Sequence, residues 1–262
     1  MDPKSGPELL TVEEMKKADA LAIDAGVSSL DLMEEAGASI VRELRKRWIR
    51  RPVSVLAGPG NNGGDGFVVA RLLSQLGWPV RLGLVGDQSR LGGDAKVNAD
   101  RWDGKIESFS TNLLENAGLV IDAIFGAGLS RPLEGVVRDV VGAIRQQKLP
   151  CVAVDVPSGI HGDTGEIMGT APYADLTVTF FRKKPGHLLL PGRQYCGETI
   201  VTDIGIPREV LRVISPTISE NTPEIWLDKL PISEPNGHKY SRGHAVVIGG
   251  DEMTGAARLA AH

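Results

Sequence analysis

Short, almost continuously apolar runs alternate with amphipathic stretches along most of this chain. Residues 53–57, 80–85, 119–124 and 151–156 are such runs, and they predict strands buried on both faces. Between and after them, residues 66–76, 95–102 and 134–147 read as helices. Upstream, residues 11–48 are helical in pattern. Thr11 and Glu14 make a capping box, and Met15, Ala18, Leu21 and Ala22 repeat on one face. Gly26 breaks that run, and residues 30–48 resume it with Met33, Gly37, Ile40, Val41 and Leu44 on the apolar side. Strand–helix alternation of this kind predicts an α/β fold with a mostly parallel sheet covered on both faces. Residues 176–181 and 198–203 add two strands joined by a loop rich in Pro, Gly and Lys, a pair that admits an antiparallel arrangement at a sheet edge.

Composition narrows the class but does not change it. The 262 residues, 42 % hydrophobic and 24 % charged, suit one large globular domain or one domain with an extension. A formal charge of −4 gives no global basic surface for nucleic acid. Cys151 and Cys196 have no zinc-type spacing, and free thiols are expected, consistent with a reducing cytoplasm. No apolar run approaches the ~18 residues of a membrane span. The first ten residues, with Pro3, Gly6 and Pro7, read as a mobile start.

Chemistry gathers at the predicted strand ends, where open α/β sheets bind ligands. Five glycines crowd Gly58-Pro59-Gly60-Asn61-Asn62-Gly63-Gly64-Asp65-Gly66. Missing Cβ atoms let a ligand approach backbone N–H groups, and a helix start behind the turn favours an anion, so a phosphate-bearing ligand is expected. Gly58 to Gly63 also satisfies G-x-G-x-x-G, with Asp87 ending the next strand where a ribose-binding acid would stand. A purely structural turn competes with this reading, because Asn and Asp favour turns in their own right.

Asp122 ends an apolar strand that leads into Phe125-Gly126-Ala127-Gly128-Leu129-Ser130-Arg131-Pro132. An unpaired charge there is costly, so a cation, an Arg or backbone donors should partner it; tying down the loop is an equal alternative. Arg131 suits either a phosphate or solvent. In Asp155-Val156-Pro157-Ser158-Gly159, Asp155 is the candidate general acid or base, with bracing of the turn as the alternative. Burial would raise its pKa and a nearby cation would lower it. Asn62, Asp122 and Ser158 are hard oxygen donors suited to a group I or II cation. His161, His187, His238, His244 and His262 show no ligand spacing, and loop or surface roles are expected for them. Lys183-Lys184-Pro185-Gly186 reads as a solvated loop, with an anionic substrate as the minor alternative.

Together, Asn61 to Gly66, Asp122 to Pro132 and Asp155 to Gly159 resemble the NAD(P)H-hydrate epimerase family, the YjeF N-terminal domain. Leu32 to Gly37 and Asp203-Ile204-Gly205-Ile206-Pro207 are similar to its flanking signatures. The resemblance spans roughly residues 11–214 and implies a Rossmann-like three-layer α/β/α sandwich, in a homodimer. It also implies interconversion of the R and S forms of NADHX and NADPHX, nicotinamide cofactors hydrated on the reduced ring. By position, Asn61, Asn62, Gly63, Gly64 and Asp65, with Gly126, Ala127, Gly128, Leu129, Ser130, Arg131 and Pro132, would hold the substrate. Asp155 would face the hydrated ring as the catalytic residue and shuttle a proton, while Asn62, Asp122 and Ser158 would bind K+.

A second resemblance starts at Lys239-Tyr240-Ser241-Arg242-Gly243-His244 and continues through Thr254-Gly255-Ala256-Ala257. It is similar to the opening of an ADP-dependent NAD(P)H-hydrate dehydratase domain. The expected organisation is an epimerase domain over 1–214, a Pro-rich linker over 215–237 and a truncated dehydratase-like start over 238–262, without the dehydratase step. Two other functions fit parts of the pattern. An NAD-dependent oxidoreductase would use the G-x-G-x-x-G turn and Asp87 but leaves Asp122 and Ser158 unexplained. A non-catalytic YjeF-type nucleotide- or RNA-binding scaffold leaves Asp155 unexplained.

Overall fold

Thr11 caps the first helix, α1 (Val12–Asp24), as its spacing predicts. Its Oγ1 accepts the Glu14 N–H at 3.2 Å, and Glu14 Oε2 accepts the Thr11 N–H at 2.8 Å. Gly26 ends the helix at φ +94°, a conformation only glycine adopts at little cost. Ser28 then caps α2 (Ser29–Arg47), whose predicted apolar side is buried from Met33 through Leu44. Arg45, Lys46 and Arg47 lie in its last turn, where positive charge suits the helix dipole. The computed structural model describes residues 6–230, 237–238, 243–252 and 254–261.

The sheet is built from β2 (Val53–Ala57), β3 (Val80–Leu84), β4 (Ile106–Ser108), β5 (Leu119–Ala123), β6 (Cys151–Val154), β7 (Leu176–Phe180) and β8 (Glu198–Thr202). These seven strands lie in the order β4-β3-β2-β5-β6-β7-β8, and every neighbouring pair is parallel. The last pair is therefore not antiparallel: Leu176 aligns with Glu198 and Phe180 with Thr202. The reason is length. The stretch 181–197, including the short helix α6 (Gly192–Tyr195), is long enough to carry the chain back to the opposite end of the sheet.

Period-2 alternation sorts the strands between two cores. Val53, Val55, Leu119, Ile121, Val152 and Val178 join α2 and α3 (Asn61–Gln75) on one face. Leu56, Val120, Ile124 and Cys151 meet Val137, Val140 and Ile144 of α5 (Gly135–Gln147) on the other. This is the expected α/β/α sandwich, with α4 (Gly93–Asp100) packed against α3. Helix α3 begins at Asn61 rather than at residue 66, so the glycine-rich run is a helix start and not a loop. The chain reverses direction across the sheet between β2 and β5, and that switch point lies under the α3 N-terminus.

A small antiparallel pair, β1 (Glu8–Leu9) with β9 (Ile218–Ser219), follows the short helix α7 (Val210–Ile214) and belongs to the first of two units, Met1–Glu220. The second unit, Asn221–His262, has turns at Pro223–Ile225 and Leu227–Lys229 and a helix, α8 (Gly255–Ala261). Pro231, Pro235 and residues 239–242 of the dehydratase-like motif lie outside the described residues. Among the described residues, no helix is long and apolar enough to cross a membrane.

Candidate active site

A cleft of about 490 Å³ opens over the carboxyl ends of β2, β5 and β6. Asn61, Asn62 and Asp65 of α3 line it with Gly126, Ala127, Gly128, Leu129 and Asp155, so eight predicted site residues meet in one place. Gly63 and Gly64 are buried just behind this wall, and Ser130, Arg131 and Pro132 are exposed beyond it. Gly60 caps α3 without a side-chain hydrogen bond, which leaves the first N–H groups of the helix facing the cleft. Glycine is required at Gly58, where a Cβ would overlap the Ile124 carbonyl oxygen. Asp87 is not part of this site. It is exposed, and its carboxylate accepts the Ser89 N–H at 2.9 Å, capping its own turn.

Asp155 leaves β6 at φ +65°, a left-handed conformation that costs a non-glycine residue energy and is held by its surroundings. Its Oδ2 accepts the Ala127 N–H at 2.9 Å. Its Oδ1 accepts the Thr179 hydroxyl at 2.9 Å and the Lys184 ammonium at 2.6 Å. Lys184 is 2 % exposed and also donates to Thr179 Oγ1 at 2.9 Å. The segment holding it is thus not a solvated loop: Pro185, Gly186 and His187 are buried with it. Burial pushes the Asp155 carboxyl up, but the Lys184 charge and hydrogen bond, with the Ala127 N–H, together outweigh burial and bring its pKa to about 2.

His187 also departs from its expected surface role. Its Nδ1 accepts the Lys184 N–H at 2.9 Å, and its Nε2–H donates to the Asp155 carbonyl at 2.8 Å. These partners fix one neutral tautomer. Burial, then the Lys184 charge, lowers its pKa to about 4. It braces the Asp155 backbone on one side and the Lys184 backbone on the other.

Asp122 is fully buried on the α5 side of the sheet. Its Oδ1 accepts the Ser158 hydroxyl at 2.5 Å, and its Oδ2 accepts the Ser158 N–H at 2.8 Å. Its partners are therefore a hydroxyl and backbone donors, and no Lys or Arg pairs with it among the described residues. Burial raises its pKa to about 6, against the Ser158 hydrogen bonds that lower it. Ser158 Oγ also accepts the Phe125 N–H at 2.9 Å, tying the loop after β5 to the loop after β6. The Asn62 carboxamide reaches the same junction, 3.1 Å from the Val154 carbonyl oxygen and 3.3 Å from the Gly126 nitrogen.

Two carboxylates complete the lining. Asp65 is buried, and burial, then the charges of Asp155 and Asp19, raise its pKa well above the usual carboxylate range. Asp19 of α1 also lines the cleft, where burial raises it to about 6. The hydrophobic pattern missed Asp19, although it stands on the stripe of Met15 and Ile23 that also faces the cleft. An acid on an apolar helix stripe was the signal.

Residues 29–186 match the family described as YjeF-related protein N-terminus. The chain is 42 % identical over 252 residues to the bifunctional NAD(P)H-hydrate repair enzyme Nnr of Thermofilum pendens, covering 91 % of this chain and 47 % of that protein. It is 43 % identical over 197 residues to the NAD(P)H-hydrate epimerase of Rhodobacter capsulatus, covering 70 % of this chain and 92 % of the relative. The chain spans about half the length of the bifunctional relatives it matches. In fold it is similar to the crystal structure of yeast ynu0, with a TM-score of 0.68 at 24 % identity, covering 82 % of this chain and 96 % of that one. On the family match and the near-complete coverage of the epimerase relative, this chain belongs to the YjeF-related protein N-terminus family.

Proposed function

We propose that this chain epimerises hydrated nicotinamide nucleotides, interconverting the R and S forms of NADHX and NADPHX in cofactor repair. The observation that carries the reading is Asp155, an ionised carboxylate held by buried Lys184 in the same cleft as the free N–H groups of α3. The names of the relatives support the same chemistry.

The backbone donors and the carboxylate of the cleft suit the two charged parts of such a reaction, the diphosphate and the ring. The Asn61, Asn62 and Gly63 N–H groups take the diphosphate, with the Gly126 to Leu129 segment as the facing wall. A dinucleotide reaching out of the cleft meets Ser130, Arg131 and Pro132. At the ring, the nitrogen supplies electrons as the C–O bond breaks, and the ring becomes cationic. Asp155 stabilises that charge electrostatically. With a pKa of about 2 it is a weak base, so its part is to attract the cation rather than to carry the proton.

The residues at the β5–β6 junction fit a potassium ion. Asp122 is a buried carboxylate without a cationic partner among the described residues, and Asn62 and Ser158 bring neutral oxygens to the same turn. Bound there, K+ would supply positive charge beneath the phosphate-facing loops. An assay starting from one separated epimer tests the function. Appearance of the other epimer, without change in the reduced-nicotinamide absorbance, is expected; a net absorbance change would favour the oxidoreductase reading instead.

A further inference from the structure

The charged groups lining the cleft are four carboxylates, Asp19, Asp65, Asp94 and Asp155, and one ammonium, Lys184. Lys184 is engaged by Asp155 and Thr179. The Asp155 carboxylate, held ionised, attracts a positive centre, which the epimerisation creates at the ring. Asp155 is fixed by three donors, which leaves the proton transfer to another group. Asp19 is placed for it. Helix α1 is anchored by the Thr11 capping box and by buried Ala18 and Ala22, and it presents Met15, Asp19 and Ile23 to the cleft one turn apart. Asp19 is half-buried, and no hydrogen bond to another described residue occupies its carboxyl.

Resting on the epimerase reading above, we propose that Asp19 is a catalytic acid of this reaction, giving its proton to the departing hydroxyl while Asp155 holds the ring cation. As the C–O bond breaks, its electron pair leaves with oxygen and the Asp19 proton joins it, forming water. The nitrogen lone pair closes the C=N bond, so the ring gains one positive charge and Asp19 one negative charge. Water then adds to the opposite face through an oxygen lone pair, and the C=N pair returns to nitrogen. The surplus proton of that water is released to bulk water on that face, and Asp19 is reprotonated from bulk water on its own. The electrostatics agree: burial and the Asp155 charge favour the protonated form, Lys184 opposes it, and the midpoint lies at about 6. Two carboxyls driven to opposite ends of the acid range divide the work between charge and proton.

The test compares the wild-type chain with Asp19→Asn and Asp19→Glu, measuring kcat and KM for epimerisation against pH, with melting temperature as a folding control. Asp19→Asn should lower kcat about 100-fold or more with KM nearly unchanged, and should remove the loss of rate that the wild type shows as pH rises through about 6. Asp19→Glu should recover part of the rate with that limb displaced. A carboxyl-carbon NMR titration gives a readout independent of activity: the Asp19 midpoint should fall in Asp155→Asn, where a neighbouring negative charge is gone. If the wild type is active and Asp19→Asn stays within about threefold of it with the same limb, the inference fails alone. If the wild type converts neither epimer, the underlying function fails and the inference falls with it.

Discussion

The Lys184 ammonium lies 2.6 Å from Asp155 Oδ1 and is 2 % exposed, so the pair depends on each other for charge compensation. Thr179 bridges the two, bonding each at 2.9 Å. Replacing Lys184 by Met leaves the Asp155 carboxylate facing apolar surroundings with one backbone and one hydroxyl donor. Removing one partner of a buried pair costs about 3 kcal/mol or more. The lower figure is expected here, because the Asp155 side chain keeps 15 % exposure. Denaturant midpoints at neutral pH check this; a change below about 0.5 kcal/mol is the behaviour of a solvated surface pair.

The same pair sets an acid limit. The Asp155 pKa lies at about 2 against an ordinary 3.8, so the folded state binds this proton less readily than the unfolded state. Its contribution to stability is complete above the ordinary value and is lost as pH falls from about 4 toward about 2. The stability difference between the wild type and Asp155→Asn should accordingly shrink as pH falls from about 4 toward about 2. Urea unfolding at several pH values in that window reads this directly. A difference that grows as pH falls from about 4 toward about 2 would contradict the ion pair.

Gly126 separates activity from stability. A Cβ there would stand 2.8 Å from both the Asn62 side chain and Asp155 Oδ2, closer than real Cβ contacts come. Gly126→Ala should therefore displace the two groups and lower epimerase activity by at least tenfold, while the sheet beneath is untouched. Gly142, on α5 with nothing within 4 Å of its Cβ position, is the control. Gly142→Ala should leave activity alone and stabilise the helix by about 0.5–1 kcal/mol. Paired rate and melting measurements distinguish the outcomes.

The architecture was readable because parallel strands buried on both faces leave continuous apolar runs, and every predicted strand of the sheet is present within one or two residues of its ends. That Asn61, Asn62, Asp65 and Asp155 share one cleft was readable because open parallel sheets gather the residues that follow neighbouring strands at one edge. The start of α3 was misplaced because its glycines carry a loop-like composition, whereas Gly58 and Gly63 are small to let strand and helix backbones touch. Lys184 was hidden for a different reason. Its need for burial comes from Asp155, which is remote in sequence, and Lys183-Lys184-Pro185-Gly186 carries the same local pattern as a solvated turn. The polar alternation of Thr177 and Thr179 in an otherwise apolar strand was the trace of that network.

Potassium binding has a readout that does not require turnover. Asp122 is buried and raised to about 6 by burial, so near neutrality its charge is supported, among the described residues, by hydrogen bonds from Ser158 and Ile124. A cation held by Asn62, Asp122 and Ser158 binds the folded state alone and stabilises it by mass action. At a concentration about ten times Kd the gain is about 1.4 kcal/mol, or a melting shift of about 3–6 °C for a domain of this size. Replacing potassium by a tetraalkylammonium ion of the same ionic strength should abolish the shift, because that cation cannot accept oxygen ligands. Asp122→Asn keeps an acceptor for Ser158 but removes the charge, and its melting temperature should be indifferent to potassium. A wild-type chain that melts at one temperature in both salts would remove the potassium assignment and leave Asp122 as the clamp that joins the β5 and β6 loops.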